Sequence, residues 1–393
     1  MAKNLPPTYD KIAQHDVFPD MNHDERARYN FIANLNKHLA HVSQGNKVAF
    51  EQRVSPKFRE KKGRDFQTKE EVEAAMTDDP HYQTWSALRR STMEMRQQAG
   101  RSLTYRQAAD LKERVERINA GKSTLILNKD VAVPTYLKAV DNHLMPGSYH
   151  TPLFEGDVAN AANYDGGLFV TTAGLLGRYT DGGGQAIGDW LLTNHPDFKP
   201  QRILDIGCGI GHNVLPLAKR YPDAEIIAID TGEPMLRYGH ARAQALGYTD
   251  VIFQQADASD LPFEDASFDW VQTTMFLHET GGKSIYKIMN EIYRVLRPGG
   301  ITLHIEQPEY TDDMSLYEQF IRDWDAYNNS EPYWSKMHDI SPKDLLAAAG
   351  FSREKYLHFG AKAINDLDDG SDKSHEPEDH GRSPIWNVFG SWK

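Results

Sequence analysis

The run Ile203-Leu204-Asp205-Ile206-Gly207-Cys208-Gly209-Ile210-Gly211 decides how the chain is read. An apolar stretch holding one acid has the pattern of a buried strand, and alternating glycines then form a turn that opens a helix. Glycine is required because the backbone must bend tightly and admit a ligand without side chains in the way. The dinucleotide fingerprint asks for another glycine three residues after Gly209, where this chain has His212. That departure counts against NAD or FAD.

On either side of this run, short apolar stretches alternate with amphipathic helices. Strands are predicted at Arg202–Ile206, Glu225–Ile229, Val251–Gln255, Phe268–Gln272 and Ile301–Glu306, with later ones at Lys355–Phe359 and Ile385–Ser391. Gly211–Tyr221 and Lys283–Leu296 read as helices between them. Such alternation specifies a parallel sheet built from βαβ units. Asp205 lies in the first strand, Asp230 ends the second and Asp257 follows the third, so all three belong to one rim of the sheet. Open α/β folds bind ligands at that rim.

With these residues in hand, the stretch 202–306 resembles class I S-adenosylmethionine-dependent methyltransferases, especially those similar to ubiquinone and menaquinone C-methyltransferases. The segment Ala228-Ile229-Asp230-Thr231-Gly232-Glu233-Pro234-Met235-Leu236 carries the likeness onward, as does Arg294-Val295-Leu296-Arg297-Pro298-Gly299-Gly300 before the fifth strand. The resemblance implies a Rossmann-like, seven-stranded doubly wound sheet over residues 146–393, with S-adenosyl-L-methionine as cofactor. It implies that Asp205, Gly207, Cys208, Gly209 and Gly211 surround the methionine end, that Asp230 holds the ribose and that Asp257 meets the adenine. Thr231, Met235, Ala258, Thr273 and Tyr164 complete the expected cofactor set.

Methyl transfer needs the acceptor aligned with the methyl group, and a base only when the acceptor must lose a proton. His278, in Met275-Phe276-Leu277-His278-Glu279, is the candidate base, since an imidazole titrates near neutrality. Glu279, Glu306, Tyr333 and Trp334 are candidate acceptor-binding residues. Gln272-Thr273-Thr274-Met275 stands where amino-group methyltransferases acting on adenine or glutamine usually carry an Asn/Asp-Pro-Pro-aromatic motif, which counts against that chemistry. The one cysteine, Cys208, sits inside the glycine turn, so a cysteine nucleophile is excluded too. His304 and Glu306 alternate along a strand without a third ligand in sequence, so no metal site is expected. The Asp313–Asn328 stretch, with Leu316, Phe320, Trp324 and Tyr327 at helical spacing, is expected to pack as core beside the acceptor site.

Residues 1–145 read as a helical domain acting as a lid, a dimer contact or both. Asn22 with Glu25 has the form of a capping box, Thr68 with Glu71 opens a second helix, Pro80–Gln98 is a third and Thr104 caps a fourth that Gly121 ends. Leu168–Arg178 reads as a short helix within a linker, and the acidic 366–379 stretch as a flexible surface loop. Residues 1–140 carry 24 Lys and Arg against 18 Asp and Glu, while the remainder carries 20 against 38. The net charge of −12 argues against whole-molecule attraction to nucleic acid or to an anionic membrane. With no apolar leader at Met1–Pro7, the expectation is a cytoplasmic enzyme acting on a small molecule, aromatic or hydroxylated, by O- or C-methylation. The rivals are an RNA- or protein-directed enzyme and a cofactor-binding protein that catalyses nothing.

Overall fold

A computed structural model describes residues 9–367 and 385–393. Most of the acidic 366–379 stretch therefore lies outside the described residues. The strands are β1 (Leu125–Ile126), β2 (Arg202–Ile206), β3 (Glu225–Asp230), β4 (Ile252–Gln255), β5 (Phe268–Thr274), β6 (Leu296–Ile305), β7 (Tyr356–Lys362) and β8 (Ile385–Trp392). They form one sheet in the order β1-β4-β3-β2-β5-β6-β8-β7, in which β8 runs antiparallel to both of its neighbours. Seven strands follow the predicted segments. The eighth, β1, joins the edge through Leu125 beside Phe253 and Ile126 beside Gln254. Two residues give no periodicity to read, so this strand was invisible in sequence.

Alternation along β2 sends Ile203 to one face of the sheet and Leu204 to the other. Ile203, Phe253, Trp270 and Leu303 pack with Ile187, Leu191, Val214 and Leu217. Leu204, Ile227 and Val271 pack with Ile288, Ile292 and Leu345. Each such aliphatic side chain contributes about 1.5–3 kcal/mol on burial. The helices supplying these residues include α8 (Gly182–Asn194), α9 (Leu215–Arg220), α11 (Ser284–Val295) and α15 (Pro342–Ala348). Two others, α10 (Glu233–Ala245) and α7 (Ala159–Thr171), stand next to the glycine turn. The helix expected over 168–178 is displaced toward the N-terminus. Ala173, Gly174, Gly177 and Thr180 all take positive φ, which breaks any helix in that stretch.

The N-terminal segment holds α1 (His23–Ala49), α2 (Ser55–Lys62), α3 (Lys69–Met76), α4 (Pro80–Tyr105), α5 (Ala108–Asn119) and the single turn α6 (Thr135–Lys138). Asn22 accepts from the Glu25 N–H at 2.9 Å while the Glu25 carboxylate accepts from the Asn22 N–H, so the capping box is closed both ways. Thr104 lies in the last turn of α4 rather than capping α5, which begins after Gln107. These helices share their cores with the sheet domain. Tyr29, Ile32 and Leu103 pack with Phe169 and Val170, Leu111 and Val115 with Ile210 and Met235, and Val72 and Met76 with Tyr317 and Phe320. Packing is thus continuous across 145/146.

Beyond β6, the predicted 313–328 helix is two pieces, α12 (Leu316–Arg322) and α13 (Trp324–Asn328), followed by α14 (Trp334–His338). The break at Asp323 shifts the helical phase. Phe320 and Trp324 are buried, whereas Tyr327 turns outward and is 60% exposed.

Candidate active site

The C-terminal ends of β2, β3, β4 and β5 open onto one cavity of ≈ 260 Å³. Gly207 and Gly209 line it with φ of 72° and 52°. A Cβ on Gly207 would stand 2.3 Å from the Phe276 ring, so the turn tolerates no side chain there. Asp230 lines the cavity with Oδ2 accepting from the Gly209 N–H at 3.0 Å and Oδ1 from the Gly232 N–H at 2.8 Å. Burial pushes this carboxyl up from its ordinary value, and the two backbone donors partly offset that.

Among the sequence-predicted cofactor residues, Gly207, Cys208, Gly209, Asp230, Thr231, Ala258 and Tyr164 line the cavity. Asp205, Gly211, Met235, Asp257 and Thr273 do not. Asp205 is buried beneath the turn, accepts from the Gln272 amide at 3.0 Å, and is pushed up to about 7 by burial. Gly211 instead lets the turn settle on the Phe253 ring, 2.9 Å from where a Cβ would be. Met235 packs with Ile210 and Tyr238, and the Thr273 hydroxyl pairs with His304 Nδ1 at 2.9 Å. The Asp257 carboxylate accepts from both the N–H and the hydroxyl of Ser259 at 2.8 Å, which shapes the loop after β4.

His278 follows β5 in a short turn, lines the cavity and is almost wholly buried. Glu306, just past β6, lies with Oε1 2.6 Å from His278 Nδ1 and also accepts from the N–H groups of Leu277 and Gln307, both at 2.8 Å. Burial would lower the imidazole, but the Glu306 carboxylate and its hydrogen bond raise it to about 9. Burial likewise works against ionised Glu306, and the His278 charge overrides it to give a net lowering. With Nδ1 held, Nε2 is the nitrogen left for an acceptor. The Trp334 ring edge packs on the imidazole at 4.7 Å between centroids and fixes its tilt. Glu279 and Trp334 line the cavity, whereas Glu306 works from behind His278. Tyr333 stands outside the cavity wall with its ring against Tyr136.

The opposite wall comes from residues that sequence reasoning missed. Asn36 of α1 and Arg89, Met93, Arg96 and Gln97 of α4 line the cavity, and the α4 set repeats at helical spacing. Their signal in sequence was only a polar stripe on a helix. Tyr136, His143 and Tyr149 come from the connection between α5 and α7. His143 sits at φ 53°, with Nδ1 2.7 Å from Glu331 and Nε2 3.3 Å from Glu279, which also accepts from the Tyr149 hydroxyl at 3.0 Å. Burial opposes its charge, yet the two carboxylates hold the imidazole up at about 10. The polar atoms of His143, Glu279 and Glu331 lie within 4.8 Å of one another, a spacing a cation would suit. A protonated His143 would supply that positive charge itself.

A second buried cluster explains His212. Asp165 accepts from His15 Nε2 at 2.9 Å, His212 Nε2 at 3.2 Å and the Tyr238 hydroxyl at 2.9 Å, with Arg242 Nε at 3.7 Å. The residue that replaces a fingerprint glycine therefore ties the turn to α7 and to the N-terminal segment.

Asp230 provides a test of fit for an adenosyl ligand. It is a half-buried carboxylate with no ion pair among the described residues, bordering a cavity whose glycines leave the backbone open. Vicinal ribose hydroxyls supply the neutral donors such a group can accept. Residues 203–300 match the family model of a methyltransferase domain. The chain is 33% identical to demethylmenaquinone methyltransferase of Thermus thermophilus over 186 residues, 42% of this chain and 81% of that protein. It is 30% identical to a ubiquinone/menaquinone biosynthesis C-methyltransferase of Dinoroseobacter shibae over 244 residues, 54% of this chain and 89% of the relative. Norajmaline N-methyltransferase of Rauvolfia serpentina is 32% identical over 145 residues, 37% of this chain and 49% of that protein. No helix among the described residues is long and apolar enough to cross a membrane. The chain belongs to the class I S-adenosylmethionine-dependent methyltransferases, is similar within them to the quinone methyltransferases, and uses S-adenosyl-L-methionine as its cofactor.

Proposed function

We propose that this enzyme methylates a small aromatic or hydroxylated acceptor, at oxygen or at an acidic carbon, with His278 as the general base. The observation that carries the reading is the His278–Glu306 pair at the wall of a cavity bounded by Tyr136, Tyr149, Tyr164, Phe276 and Trp334. S-adenosylmethionine supplies an electrophilic methyl group when bound. Asp230, Thr231 and the Gly207–Gly209 backbone would hold it.

His278 Nε2 takes the acceptor proton, and Glu306 both fixes the ring through Nδ1 and stabilises the imidazolium that results. The aromatic walls orient a flat acceptor by burying its faces and exclude water from the transfer. The helical segment roofs the cavity with α1 and α4, which supports a lid role and favours an enclosed small acceptor over a nucleic-acid or protein chain. Purified enzyme incubated with labelled S-adenosylmethionine and a panel of phenols, quinols and catechols should label at least one of them. Labelling confined to protein or RNA would refute the reading.

A further inference from the structure

Cationic side chains at the cavity wall are nearly all matched by carboxylates. Arg89 stands 3.4 Å from Asp325, His143 is shared by Glu279 and Glu331, His212 faces Asp165 and His278 faces Glu306. Arg96 differs. It lines the same cavity and is 6% exposed, yet it has no ion pair or hydrogen bond among the described residues, and its Nε is buried without a partner. Its surroundings are phenols. Tyr9, Tyr29, Tyr149 and Tyr164 are its electrostatic neighbours, and burial raises each of them, so they stay neutral and cannot balance a guanidinium.

The position of Arg96 is built rather than incidental. A Cβ on Gly167 of α7 would lie 2.3 Å from Nη2 and 2.6 Å from both Cζ and Nε, so the guanidinium rests flat on backbone that only glycine leaves bare. Next to it, Gln97 donates to the His143 carbonyl at 2.7 Å and accepts from Asn163 at 3.0 Å, which fixes this part of α4 against the cavity wall. A buried, unpaired cation is unfavourable for folding and is retained where a ligand completes it. The planar fork of a guanidinium matches a carboxylate, which it binds through two parallel hydrogen bonds.

We propose that Arg96 is the receptor for a carboxylate in the transfer cavity, contributed by the helical segment rather than by the methyltransferase sheet. Two molecules in this cavity could present that group: the amino-acid end of the cofactor, or an acidic substituent on the acceptor. The second source rests on the small-molecule reading above; the first does not.

The test uses the full chain with Arg96→Met, Arg96→Lys and, leaving the arginine in place, Gly167→Ala. Ligand-free Arg96→Met should melt at or above the wild-type temperature, because an unmatched buried charge is gone. A clearly lower melting temperature would make Arg96 a structural residue and overturn the proposal. Calorimetry then compares S-adenosylhomocysteine with 5′-methylthioadenosine, which lacks the carboxylate. If the cofactor is the source, Arg96→Met and Gly167→Ala weaken the first ligand by about tenfold to hundredfold and leave the second unchanged. If the acceptor is the source, both nucleosides bind normally, and benzoate but not benzamide stabilises the wild-type complex and not the variants. Arg96→Lys should recover part of the effect through its charge. Equal behaviour of all four proteins toward S-adenosylhomocysteine and benzoate overturns the proposal. The nucleoside arm reads out even if no acceptor is ever methylated, so its failure is distinct from failure of the small-molecule reading.

Discussion

Glu306 grips His278 by Nδ1 at 2.6 Å, and the same carboxylate also accepts from the N–H groups of Leu277 and Gln307. One acid thereby sets the ring's tautomer, its orientation and the path of the turn that carries it. His278→Ala should lower turnover by about two orders of magnitude or more while leaving S-adenosylhomocysteine affinity within twofold of wild type, the usual scale for a lost general base. Unchanged turnover would reduce His278 to packing.

The pH profile follows from the same pair. His278 must be neutral to accept a proton, and Glu306 holds it up to about 9, so the rate should climb with pH toward that value. Replacing Glu306 by Gln removes the largest raising influence while Glu331 and Glu279 remain. The rising limb should then move to lower pH, at a reduced plateau because the imidazolium loses its counter-charge. A limb that stays in place assigns the titration to another group.

Stability should show the opposite trend. His278 and His143 are both raised in the folded state, to about 9 and about 10, above an unfolded value near 6.5. Their contribution is complete below about 6.5 and disappears as pH rises through the folded values. Melting temperature should therefore fall between roughly pH 7 and 10, and less steeply in His143→Gln. Scanning calorimetry across that range decides it.

Asp230→Ala removes the acceptor that the Gly209 and Gly232 N–H groups and the ribose hydroxyls would share. S-adenosylhomocysteine affinity should fall by about tenfold to hundredfold or more, the scale of a hydrogen bond to a charged group. Calorimetric binding equal to wild type would displace Asp230 from the ribose site.

Asp165→Ala leaves His15, His212, Tyr238 and Arg242 facing one another without their shared carboxylate. Losing one partner of a buried charged network costs about 3–5 kcal/mol. Denaturant unfolding should report a loss of that size, with the N-terminal segment released first in hydrogen exchange, since His15 is one of its anchors. A loss below about 1 kcal/mol would show the cluster to be slack.

The glycine turn, the limits of β2, β3 and β8 to within one residue, the capping box at Asn22 and the place of His278 just after β5 were legible in the chain alone. Each depends on neighbours within a few residues, where backbone geometry and alternation leave few choices. What tertiary structure decided was which groups meet. Arg96 lies 71 positions before Gly167, His143 lies 136 before Glu279, and Asp205 meets the Gln272 amide 67 positions on. No local pattern records such pairings, because they are selected by the packing of α1, α4 and α7 over the sheet rather than by the propensity of any one segment.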